Sequence, residues 1–166
     1  MASTYHGAEA LWRVNREMPR LGLMVHGDRR MPYEVSFTKR VPIVDRDQYI
    51  NDCCIGGDVV VDQLLPSIRA QYENVQTNQE DWGWFIWFRK GKVRLAFDVF
   101  TDDSKAGAFR VHLTSRTKRW LVLNSVIDTP ELEDLRARVG SVLIDWVGGA
   151  VKITRLDRNY SPVEAV

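Results

Sequence analysis

Residues 82–115, WGWFIWFRKGKVRLAFDVFTDDSKAGAFRVHLTS, are three runs rich in Val, Phe, Trp, Ile and Leu, cut at Lys90-Gly91 and between Asp102 and Gly107. Alternating apolar runs separated by Gly, Asp and Ser clusters leave few options besides an antiparallel β-meander. With Lys90-Gly91 as a two-residue loop, Arg89 faces Lys92, and Trp82, Trp84, Ile86 and Phe88 face Val99, Phe97, Leu95 and Val93. The eight residues from Trp82 to Val99 in these last four pairs are all apolar, which marks their side as the core; a slip of one residue would exchange the faces. The opposite side pairs Gly83 with Asp98, Phe85 with Ala96 and Trp87 with Arg94, and the third run adds Arg110, His112 and Thr114.

The rest of the chain supplies helices and further strands. Thr129 suits an N-cap, Pro130 the first helical position, and Leu132, Leu135, Val139, Val142, Leu143 and Trp146 recur at helical spacing up to Gly148-Gly149. Tyr49, Ile50, Cys53 and Cys54 suggest a short helix stopped at Gly56-Gly57, and Asp58 an N-cap for a second one, restarted or kinked at Pro66. Tyr33, Val35 and Phe37 alternate as a strand that Pro42 ends or places at an edge, and 150–156 alternates likewise; Trp120 to Leu123 suit a short strand. A helix over 8–18 and an extended 21–25 precede these, 73–81 reads as linker and 157–166 as tail. The expected fold class is α+β: an antiparallel β-meander sheet of four to six strands, a long C-terminal amphipathic helix packed on one face, and the 46–73 helical region at the other face or an end. At 166 residues the whole chain, 1–166, is expected to be a single globular domain.

Charge is distributed unevenly although the formal net charge is only +1. Residues 82–119 carry +6 and residues 41–81 carry −6. The plain expectation is that the two blocks neutralise each other when packed; the sharper one makes the meander an anion-binding surface. No apolar run reaches membrane-span length and no signal-peptide layout opens the chain, so a cytoplasmic location and no membrane partner are expected. Cys53 and Cys54, being adjacent, are expected to be buried reduced thiols. The histidines His6, His26 and His112 are scattered and no metal or phosphate-loop spacing occurs, so no metal site and no cofactor are expected.

The mixed face of the meander is where chemistry could concentrate. Phe85, Trp87, Arg94 and Arg110 are the candidate ligand-binding residues, with the two arginines as anion clamps. The bland reading of the same residues is a cation–π pair of Trp87 with Arg94 and a cross-strand pair of Asp98 with Arg110. The expected function is a non-enzymatic intracellular binding protein that recognises a protein or a small acidic ligand through this face. The alternative is an enzyme acting on an anionic substrate, with His112 as acid or base and Asp98 orienting it. Nucleic-acid binding through the basic turns 89–94 and 116–119 ranks lowest, because the aromatic run lacks any RNP, zinc-finger or helix-turn-helix companion.

Overall fold

The computed structural model describes residues 31–119, 122–126, 128–157 and 159–165. The expected helix at 8–18, the extended stretch 21–25, His6, His26, Trp120 and Leu121 lie outside these residues. Among the described residues eight strands make one antiparallel sheet: β1 Met31–Thr38, β2 Gln76–Glu80, β3 Gly83–Lys90, β4 Val93–Asp103, β5 Ala108–Arg119, β6 Val122–Val126, β7 Val151–Leu156 and β8 Pro162–Ala165. The order is β2-β3-β4-β5-β1-β7-β8, with β6 beside the far end of β5. The chain is therefore α+β with an antiparallel sheet, but with more strands than the expected four to six. Two of the additional strands, β2 and β8, lie in the stretches expected to be linker and tail. β1 is interior, between β5 and β7, and stops at Thr38 before Pro42 is reached.

The meander keeps the expected faces but not the expected partners. Lys90 pairs with Val93, so the two-residue loop is Gly91-Lys92, and Gly91 supplies the positive φ of 59° that a tight hairpin turn requires. Every β3–β4 pair is thereby displaced by two residues: Trp84 meets Val99, Ile86 meets Phe97 and Phe88 meets Leu95. A shift of two preserves which side each residue faces. Trp82 departs from the expected core face. Glu80 pairs with Gly83, so Asp81-Trp82 form the β2–β3 turn and the indole lies outside the strand, 46% exposed.

Two helices among the described residues share the core face. Helix α1 spans Gly57–Arg69 and α2 spans Pro130–Val147, with Thr129 capping α2 by accepting from the Leu132 N–H at 3.1 Å. Val60, Val61, Leu64 and Ile68 of α1 and Leu132, Leu135, Val139 and Leu143 of α2 are buried in one cluster with Val35, Ile86, Phe97 and Val111. α1 lies over β3 and β4, and α2 mainly over β1, β5 and β7. At 18 residues α2 is too short to cover the sheet alone, and the helical region expected at the other face or an end packs beside it instead.

Three local expectations in 45–69 are corrected. Residues 45–51 form turns, with a single 3-10 turn at Asp52–Cys54 in place of a helix. The α1 N-cap is Gly56, at φ 76°, and Asp58 falls inside the first turn, where its carboxylate accepts from the Tyr49 hydroxyl at 2.8 Å. Helix α1 is continuous through Pro66 and does not restart there. Both Pro66 and Asp62, whose carbonyl loses its i+4 donor, are exposed, so water can take that carbonyl. Of the cysteines only Cys54 is buried; Cys53 is exposed, and both are free thiols. The Cys54 thiol donates to the Glu80 carbonyl at 3.1 Å, and burial raises its pKa.

Candidate ligand cleft on the open sheet face

Both helices occupy one face, so among the described residues no helix covers the other face of the meander, and the register arranges its side chains in rows across the strands. Arg89 of β3 stands opposite Arg94 of β4, which stands opposite Arg116 of β5. Two residues along lie Trp87, Ala96 and Thr114; two further lie Phe85, Asp98, His112 of β5, Glu34 of β1 and Thr154 of β7. Phe100, Arg110, Ser36 and Lys152 form the next row. A cleft of about 1240 Å³ runs over these rows, lined among others by Trp82, Phe85, Trp87, Arg94, Asp98, His112, Arg116 and Tyr160.

The middle of the cleft is an acid–histidine–acid row under aromatic rings. His112 Nε2 lies 2.9 Å from Glu34 Oε2, and Asp98 is its direct neighbour on the other side. Burial pushes the Asp98 carboxyl above the usual carboxylate range, opposed by the charges of His112 and Arg116 and by a hydrogen bond from the Trp82 side chain. Phe100 packs against the His112 ring at 4.9 Å between centroids, and Tyr160 stacks on it at 5.8 Å and 23°. Tyr160 reaches that position from the β7–β8 turn. Asp157 Oδ1 accepts from the Asn159 and Ser161 N–H groups at 2.7 and 2.9 Å, and Tyr160 takes a left-handed φ of 61°.

The candidate residues named from sequence all reach this face, but in different company. Trp87 does not cover Arg94. It stands opposite Ala96, and its ring stacks on Phe85 at 4.9 Å and 18°. Asp98 does not pair with Arg110. That arginine is held by Asp102, with Nε 2.7 Å from Oδ2, and by Glu34 at 3.5 Å, while its guanidinium lies 5.5 Å from the centre of the Phe100 ring. The Asp102 hydrogen bond holds the Arg110 pKa above its usual value. Arg110 is thus committed within the protein, whereas exposed Arg89, Arg94 and Arg116 make no hydrogen bond or salt bridge to another described residue.

The two charge blocks, expected to neutralise each other when packed, make no salt bridge with one another among the described residues. Among the described residues, basic side chains of 82–119 pair with Glu34, Asp102 and Asp134, and none pairs with a carboxylate of 41–81. Sequence reasoning also missed Glu34, Trp82, Phe100 and Tyr160. Glu34 shows only as the polar partner in an alternating strand, and Tyr160 sits in a stretch with no periodicity at all. Among the described residues no three His, Cys, Asp or Glu side chains converge as metal ligands, and no helix is long and apolar enough to cross a membrane. No protein-family model, no curated protein and no solved structure matches this chain.

Proposed function

We propose that the chain is a non-enzymatic, cytoplasmic binding protein that holds a small acidic ligand in the open-face cleft. The observation that carries this reading is the Arg89–Arg94–Arg116 row. Like charges directly opposite one another destabilise a sheet, and none of the three makes a salt bridge to a described carboxylate, although the Arg116 charge acts on Asp98. An anion in the cleft relieves that repulsion, and the adjoining stacked Phe85–Trp87 pair offers an apolar surface for the rest of the ligand. Arg94 keeps the clamp role in this proposal, while Arg110 becomes a support for Glu34. A probe that is both aromatic and anionic, anilinonaphthalene sulfonate, tests it. The native chain should bind the dye with enhanced emission, Trp87→Ala should lose most of that emission, and thermal unfolding should show that the variant is folded. Native protein that leaves the dye dark, or binds it equally without the Trp87 ring, removes the reading.

A second reading is favoured by one observation, the buried Asp98 carboxyl with its raised pKa beside the His112–Glu34 contact. A carboxyl and an imidazole whose surroundings differ this way are suited to acid–base chemistry on an anionic substrate. His112→Gln separates the two proposals: dye binding should survive it, whereas any turnover through the imidazole should fall on the order of 10²-fold or more.

A further inference from the structure

We infer that the arginine row and the aromatic pair together form a site for a nucleoside phosphate. This rests on the ligand-binding reading above and goes beyond it by naming the ligand class. Three guanidinium groups side by side demand more negative charge than one carboxylate carries. A phosphate monoester brings nearly two charges and three acceptor oxygens, and a diphosphate brings more. Neighbouring strands lie about 4.8 Å apart, so the row spreads its donors over about 10 Å, wider than a single carboxylate and suited to two linked phosphoryl groups.

The rows beside it fit the remainder of such a molecule. Two strand residues advance about 7 Å, which places Trp87, Ala96 and Thr114 next to the anion row. The small Ala96 side chain leaves space beside the indole, whose other neighbour is Phe85, so a flat ring system can lie against a platform that is already stacked. A further step of about 7 Å reaches Asp98, an acceptor for the amino edge of a base. Charge sets the orientation. Asp98 and Glu34 share the row beyond the aromatic pair and Glu80 lies further still, opposite Gly83, so the phosphates belong on the arginines. A long nucleic-acid strand, with phosphates along its whole length, would meet those carboxylates. The geometry therefore favours a free nucleotide over a strand.

Displacement of bound anilinonaphthalene sulfonate from the full chain tests the assignment, with ADP, adenosine, pyrophosphate and short oligonucleotides bearing a 5′-phosphate or a 5′-hydroxyl as competitors. ADP should displace the dye at a concentration at least 10-fold lower than adenosine. The double variant Arg94→Gln, Arg116→Gln should raise the ADP requirement 10-fold or more and leave adenosine unchanged. In the unmutated chain ADP should shift the Trp87 indole N–H resonance and leave that of Trp146, on the helix face, in place; this measurement needs no variant to fold. A 5′-phosphorylated oligonucleotide that outcompetes ADP would identify the source of the nucleotide as a strand end while upholding the site. Equal displacement by 5′-hydroxyl and 5′-phosphate strands, equal potency of ADP and adenosine, or indifference to the arginine substitutions would overturn it. If the dye binds through Trp87 but millimolar ADP fails to displace it, this inference falls and the binding reading stands. If no Trp87-dependent dye binding occurs, the binding reading itself falls.

Discussion

Asp98 is held by opposing influences at a single residue. Burial favours its neutral form, while His112, the Trp82 side chain and Arg116 favour the carboxylate without cancelling that effect. An unfolded Asp titrates at about 3.9, below the folded value, so as pH rises the unfolded state releases its proton first. The stability linked to Asp98 is therefore fully present below the unfolded pKa and is lost as pH rises through the folded one. Asp98→Asn should unfold at a higher temperature than the wild type at about pH 7, with the difference closing toward about pH 3. A wild type more stable than the variant at neutral pH would show that the carboxylate is net stabilised by its neighbours. Gly83 sets the position of Trp82 nearby. Its φ is +150° and an added Cβ would lie 2.3 Å from the Val99 carbonyl oxygen. Gly83→Ala should cost about 1–3 kcal/mol, read as a lowered unfolding midpoint. The sequence WGW shows a glycine there but not its consequence, because alternation counted through Gly83 places Trp82 in the core, whereas the turn at Asp81-Trp82 breaks the count.

Legibility at the element scale followed apolar contrast. The strands β3, β4 and β5, the β1 alternation and both ends of α2 were readable because one side of each must be buried against the core. By contrast β2, QTNQE, is an edge strand that buries little, and its polar residues give no periodicity. It pairs through its backbone with β3, which composition does not encode. The 45–54 segment misled for a related reason. Tyr49 and Cys54 are buried as a helix would bury them, yet they pack as a small separate cluster with Ile55 against Trp84, reached by turns. In α1 the proline suggests a restart or kink because its ring and missing N–H penalise a helix interior, but the defect faces solvent and the apolar stripe on the other side keeps the helix continuous. That penalty persists in the folded state. Replacing Pro66 by Ala restores the N–H for the Asp62 carbonyl, and the proline helix penalty of about 3 kcal/mol outweighs the roughly 0.4–1 kcal/mol by which proline restricts the unfolded chain. Pro66→Ala should therefore raise the denaturant midpoint by the equivalent of about 2–2.6 kcal/mol; an unchanged or lowered midpoint would mean that the ring makes contacts that offset its helix penalty.

At the scale of the described fold, two helices lie on one face and a basic, aromatic cleft on the other, and the sign of each arginine's effect follows from its row. Sequence reasoning treated Arg94 and Arg110 as equivalent clamps, since both fall on the same side of the meander. The two-residue shift in register distinguishes them. It places Arg94 between Arg89 and Arg116, while Arg110 lies within reach of Asp102 and Glu34. Arg110→Ala removes favourable partly exposed pairs and should lower stability by about 1 kcal/mol or less. Arg94→Glu replaces two repulsive cross-strand neighbours with two attractive ones, each worth about 0.2–1 kcal/mol, and should raise it. The gain should be largest at low ionic strength. At about 0.1 M salt the screening length falls to about 10 Å, comparable with the width of the row, and the wild type recovers part of the difference. Thermal melts of the wild type and both variants at about 10 mM and about 200 mM salt therefore have opposite expected outcomes for the two arginines. If Arg94→Glu melts below the wild type at low salt, the row is already neutralised by a carboxylate, and the anion demand on which the binding proposals stand is gone.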